Sequence, residues 1–154
     1  MQHWVKLIGA SDLPLPNDPF VRDPSLYEWV RFPRDQFPRE IDRGDELVYY
    51  AVGGYKKLFA VARLAAEPQR DVPARHATIF KRWPHAARVE IGPHLQYVEF
   101  GPDLSAVDPR LMDEIHQGVS HFRITAAQYA DAVRLLRRAK MEEQARRPTH
   151  VSRL

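Results

Sequence analysis

Aromatic rings, basic clusters and histidines are the side chains of this chain with chemistry to offer. Tyr49 and Tyr50 stand side by side in Glu46-Leu-Val-Tyr-Tyr-Ala51, a β-forming run that follows the turn Arg43-Gly44-Asp45. Side chains alternate across a strand, so the two rings point to opposite faces. One ring can join the core while the other looks outward or into a cleft. Basic residues gather at Arg31/Arg34, at Lys81-Arg82 and from Arg134 to Arg147. Such clusters suit phosphate, and each taken alone also reads as a solvated face.

Enzyme chemistry finds little support. There is no cysteine, hence no thiolate nucleophile and no disulfide. Neither a Gly-x-Ser-x-Gly elbow nor a phosphate-cradling glycine loop is present. Seven histidines invite a metal, but His76, His85 and His94 recur at intervals of nine, which suits neither a helical nor a hairpin ligand set. No metal and no cofactor is expected. Arg43-Gly44-Asp45 spells an adhesion tripeptide, yet it reads as turn chemistry, with Gly supplying the backbone angle and Asp the cap.

The elements that must position these groups can be traced along the chain. His3–Ile8 alternates as an opening strand. Residues 11–24 carry Pro14, Pro16, Pro19 and Pro24 and read as an extended loop. Ser25–Val30 is either a short helix or an irregular aromatic segment, and Arg31–Glu40, with Pro33 and Pro38, reads as a second loop. Strands are expected at 46–52 and 57–66, joined as a hairpin through Gly53-Gly54. Residues 67–77 form a polar connector. Ala87–Ile91 and Leu95–Phe100 alternate as strands around a Gly92-Pro93 turn. Asp108-Pro109 opens a short helix closed by Gly118, and Ser120–Ile124 is a last short strand. Thr125 and Gln128 form a capping-box pattern ahead of a helix carrying Tyr129, Ala132, Val133 and Leu136. Pro148 is expected to stop that helix.

The 154 residues suit one domain, expected over 1–147, with a flexible tail at 148–154. Hydrophobic residues at 44% and charged residues at 28% fit a globular protein and exclude wholesale disorder. A net charge of +3 permits nucleic acid as a partner without requiring it. No apolar run is long enough to span a bilayer, and no signal-type segment opens the chain, so no membrane is expected and the cytoplasm is. Strands and a few helices without βαβ alternation predict an α+β fold, a mixed and mainly antiparallel barrel closed by a C-terminal helix.

Several landmarks, taken in order, resemble an EVE domain of the PUA-like superfamily. They are the Trp-bearing strand His3-Trp4-Val5, the aromatic loop Tyr27-Glu28-Trp29-Val30-Arg31, and Arg43–Tyr50 with its Gly-Asp and aromatic strand. Phe80-Lys-Arg-Trp-Pro84 and the closing segment Gly118–Tyr129 complete the series, which spans about residues 3–140. Two departures stand out. Trp29 and Phe32 occupy places where the family commonly has Gly and Asn beside its Val-Arg pair, and the 11–24 loop is unusually rich in proline.

The resemblance implies a small barrel that binds nucleic acid, DNA or RNA, and reads a nucleobase, often modified, flipped into an aromatic pocket without catalysis. Carried onto this sequence, the base pocket would draw on Trp29, Tyr27, Tyr50, Trp83, Ser120 and His121. Phosphates would fall to Arg31, Lys81 and Arg82. Each has a plainer role: a Trp can plug a barrel end, one of Tyr49 and Tyr50 must be core, and Ser120 suits a turn. The alternatives are an ASCH-like nuclease or hydrolase, for which Lys81, Glu28 and Arg31 are the nominees, and a PUA-like barrel holding a small molecule.

Overall fold

Strand β1 (His3–Ile8) is apolar on both faces, so it belongs inside a sheet and not at its edge. It pairs in parallel with β3 (Glu46–Ala51) and antiparallel with β6 (His121–Ile124). A hairpin carries β3 into β4 (Leu58–Leu64), which pairs with β5 (His85–His94), which in turn pairs with β2 (Trp29–Phe32). The resulting order is β2-β5-β4-β3-β1-β6, antiparallel except at β1–β3. This is a computed structural model, and it describes the backbone of residues 1–116 and 118–151, with side chains described to residue 146.

The six strands curl into a half-barrel. Its two end strands approach each other without sharing a ladder among the described residues: the Phe32 ring of β2 lies 5.7 Å from the His121 ring of β6. Side chains fasten the gap instead. Glu40 bonds His121 Nε2, and Gln36 Nε2 donates to the Gly118 carbonyl.

Each face of the sheet builds its own core. Trp4, Val30, Phe32, Leu47, Tyr49 and Phe59 fill the concave side. Val5, Leu7, Val48, Tyr50, Phe122 and Leu136 pack on the convex side beneath α3 (Ala126–Val151). The α3 residues that become buried, Tyr129, Ala132, Leu136, Ala139 and Glu143, recur at three- and four-residue spacing, as an amphipathic helix requires. The capping box forms as expected: Thr125 N donates to Gln128 Oε1 at 2.8 Å, and Gln128 N donates to Thr125 Oγ1 at 3.0 Å. The Arg43-Gly44-Asp45 turn also behaves as read. Gly44 holds φ at +90°, and the buried Asp45 carboxylate accepts from Gln2 N, Asp42 N and Trp4 Nε1.

Other expectations give way to tertiary context. Trp29–Phe32 is a strand, because β5 offers it a ladder that the sequence does not reveal. Leu95–Phe100 is not: the Glu143 carboxylate takes Gln96 N and Tyr97 N at 2.9 and 2.8 Å, and Val98–Phe100 tightens into a 3-10 turn. Gly92-Pro93 does not turn the chain. It lies within β5 where the register against β4 shifts, a place where a strand tolerates proline. Two short helices were not expected: α1 (Pro19–Arg22) lies within the proline-rich 11–24 loop, and α2 (Ala77–Arg82) begins at the last residue of the 67–77 connector. Pro109–Glu114 is a 3-10 helix capped by Asp108. The α3 backbone runs past Pro148 to Val151, and of the expected tail residues 152–154 lie outside the described residues. Among the described residues no helix is long and apolar enough to cross a membrane.

Candidate functional site

Strands β1 and β2 are not neighbours in the sheet, and a cavity of about 260 Å³ occupies the seam between them. Its wall is assembled from the end of β1, the proline-rich loop at 13–16, α1 with the 3-10 turn Pro24–Tyr27, β2 and α2. Alternation along β2 decides what faces it. Val30 and Phe32 are fully buried in the concave core, so Trp29 and Arg31 turn toward the seam, where both line the cavity. Trp83, just past α2, lines it as well.

Arginines hold both indoles. The Arg88 guanidinium lies 4.5 Å from the Trp29 ring, from the position opposite it on β5. The Arg82 guanidinium sits 4.8 Å from the Trp83 ring while bonding both oxygens of Asp12 at 3.0 Å, which clasps α2 to the proline-rich loop. Arg31 is a strut. It donates to the carbonyls of Val72 (2.9 Å), Pro73 (2.7 Å) and Trp83 (3.1 Å), so its charge is spent fixing the backbone beside Trp83. Burial lowers its pKa.

Lys6 also lines the cavity, and nothing in the sequence-based assignment anticipated it. It shares the concave face with Trp4 and Ile8, is 2% exposed and makes no ion pair among the described residues. Its Nζ donates to the Leu7 carbonyl at 2.7 Å and lies 5.1 Å from the Phe32 ring centroid. Burial brings its pKa down to about 7. Its register partners are Tyr49 on β3 and His121 on β6. The Tyr49 hydroxyl and His121 Nδ1 are both buried without a hydrogen-bond partner. Burial pushes the Tyr49 hydroxyl far up and, acting with the Lys6 charge and against Glu40, holds His121 below the ordinary imidazole range.

Of the residues proposed from sequence, the structure thus brings Trp29, Trp83 and Arg31 to one cavity. Tyr27 lies just outside it, 45% exposed, with its ring 4.7 Å from Phe20 and 5.3 Å from His94. Arg82 stands at the rim, and Lys81 is exposed on α2 away from the wall. Tyr50 does not face a cleft. It is 3% exposed in the convex core, because the ring that points to the concave side is Tyr49. Ser120 is buried at the entry to β6 with its Oγ unpartnered, and His121 packs edge-on against Trp4 and Phe32. Glu28 and Arg31 line a smaller neighbouring cavity of about 140 Å³, but Lys81 lines neither, so the hydrolytic trio does not converge. A signal for Lys6 was present: a lysine inside a strand whose neighbours on both faces are apolar is an interior lysine.

No family model matches the sequence, and no curated protein matches it. Solved structures match in shape. The Mmi1 YTH domain aligns with a TM-score of 0.60 at 9% identity over 92% of this chain and 79% of its own. Rpa0253 from Rhodopseudomonas palustris aligns at 0.54, with 18% identity over 88% of this chain and 92% of its own. The YTH domain of Zygosaccharomyces rouxii MRB1, solved in complex with N6-methyladenosine RNA, aligns at 0.51, with 12% identity over 87% of this chain and 86% of its own. What they share with this chain is the fold. It is PUA-like.

Proposed function

We propose that this chain is an EVE-type nucleic-acid-binding domain that admits one flipped, modified nucleobase to the seam cavity and does not transform it. The observation that carries this is the pair of indoles, Trp29 and Trp83, in the wall of a single cavity. Extruding a base costs a few kcal/mol, and aromatic stacking returns about 1–3 kcal/mol per base. At about 260 Å³ the cavity falls below the roughly 300–1,000 Å³ of drug-sized sites, which favours one ring system over a larger ligand.

Lys81, exposed on α2 outside the cavity wall, is the cation offered to phosphate, while Arg82 is held by Asp12 and Arg31 is committed to the carbonyls beside Trp83. Tyr27 and His121 flank the pocket. Tyr50 and Ser120 are assigned to packing. The solved YTH domain captured with N6-methyladenosine RNA supports use of this fold to read a methylated base.

The test is Trp29→Ala, titrated against labelled single- and double-stranded DNA and RNA carrying unmodified or methylated bases. The expected result is an unchanged circular dichroism spectrum with affinity reduced tenfold or more. Loss of the fold would instead make Trp29 a packing residue. Binding should also weaken as salt rises, because phosphate contacts release counterions. A flat salt response would favour the small-molecule barrel.

A further inference from the structure

The concave side of the sheet carries a cation surrounded by rings and hydrocarbon. Lys6 is buried, lines the seam cavity and has no carboxylate bonded to it. Its single hydrogen bond has a clear origin. The β1–β6 pairing ends at Lys6↔His121, with one further backbone bond from Leu7 N to the Ser120 carbonyl, so the Leu7 carbonyl is left to accept from Nζ. A protonated amine has three hydrogens, and only one is used. A buried donor left without an acceptor is costly, so a ligand that supplies an acceptor gains what the empty site forgoes.

We propose that Lys6 is the edge-reading group of the seam cavity, and that it selects planar heterocycles whose inserted edge carries an exocyclic oxygen. This rests on the reading of the seam as a base pocket and adds the class of base to it. A carbonyl oxygen accepts the idle hydrogens of Nζ. A ring that presents an amino group at the same position sets donor against donor and leaves both unpaired, and penalties of this kind make such sites discriminating.

Among the described hydrogen bonds no side chain around Nζ accepts from it, and the Tyr49 hydroxyl and His121 Nδ1 on the flanking strands stay unpartnered beside it. From β3 comes the Tyr49 hydroxyl, kept neutral by burial. From β6 comes His121, whose Nε2 is taken by Glu40 of the loop between β2 and β3. From β2 comes Arg31, committed to backbone carbonyls. The other ionisable groups of the wall are Arg22, bonded to Asp18, with Asp23, which accepts from Ser25, and His76 at the start of α2. Burial sets the free amine to titrate near neutrality, whereas an oxygen ligand favours its charged form. Affinity for such a ligand must then fall as pH rises above 7.

The experiment measures binding of labelled single-stranded oligonucleotides that differ at one central base. Hypoxanthine is compared with adenine, and uracil with cytosine, each pair exchanging an oxo for an amino group at one ring position. The wild-type protein should prefer an oxo member at least tenfold at pH 7. That preference should decay by up to about tenfold per pH unit from 7 to 8.5. Lys6→Met should bind the members of each pair equally and without pH dependence. Lys6→Gln, which keeps a neutral donor, should retain part of the preference with a flat pH profile.

Binding of wild type without an oxo preference, or a preference that survives in Lys6→Met, overturns the inference and leaves the base pocket standing. Failure of wild type to bind any of the oligonucleotides overturns the base pocket and this inference together. Circular dichroism of both variants separates a lost contact from a lost fold.

Discussion

The two faces of one sheet are built from the same strands and have opposite characters. On the convex side Val5, Leu7, Val48 and Tyr50 meet Leu136 and Ala132 of α3 in a closed hydrocarbon layer. On the concave side, the positions between them hold Trp4, Lys6, Tyr49 and His121, and the Tyr49 hydroxyl and His121 Nδ1 are buried without a hydrogen-bond partner. Each such atom costs about 1–3 kcal/mol. A fold selected for stability alone has no use for that cost, and two of the atoms that bear it lie on the side that opens to a cavity. The convex face supplies cohesion, and the concave face uses part of it to keep unmet hydrogen-bonding capacity beside a ligand-sized space.

Substitutions on the two faces should therefore act with opposite signs. Leu136→Ala, on the convex face, should lower the free energy of unfolding by about 2–5 kcal/mol in urea denaturation. Oligonucleotide affinity of the folded fraction should stay unchanged, and a matching loss of affinity would erase the distinction between the faces. Lys6→Met, on the concave face, should raise stability. Lys6 titrates at about 7 when folded against 10.5 as a free side chain, so between those values the unfolded chain binds more protons. Wild-type stability should then climb with pH across that window by up to about 1.4 kcal/mol per unit. The Met variant lacks this climb, so its advantage should be largest at or below pH 7 and gone by 10.5. Parallel stability curves for the two proteins would show that the amine is solvated. The smallest effect is expected of Thr125→Ala, which removes the α3 cap: about 1 kcal/mol of stability, with no change in binding.

The elements that could be read from sequence are those whose signals are local. The β3–β4 hairpin follows from two β-forming runs around Gly53-Gly54, and the α3 start follows from Thr125 and Gln128. What stayed hidden depended on distant partners. Leu95–Phe100 alternates like a strand, and only the arrival of Glu143, nearly fifty residues later, takes its backbone N–H groups out of any ladder. Strand β2 needed β5 to declare itself. At the site, Trp29, Trp83 and Arg31 could be nominated because aromatic and basic residue types advertise themselves. Arg31 was given a phosphate role for its charge, while the structure shows its hydrogens already committed to carbonyls. Lys6 was not nominated: apolar neighbours on both faces of its strand marked it as interior, but its place beside the cavity shows only once β1 is known to lie between β3 and β6.

The fastening of the half-barrel has a mechanical corollary. Glu40 with His121 and Gln36 with Gly118 span the gap as side-chain links, whereas the flanking strands are joined rung by rung through the main chain. The two lips can part and reclose by swinging those links while every β-ladder stays intact. Opening of the seam is thereby uncoupled from global unfolding, and its stiffness resides in side chains and not in the β-ladders.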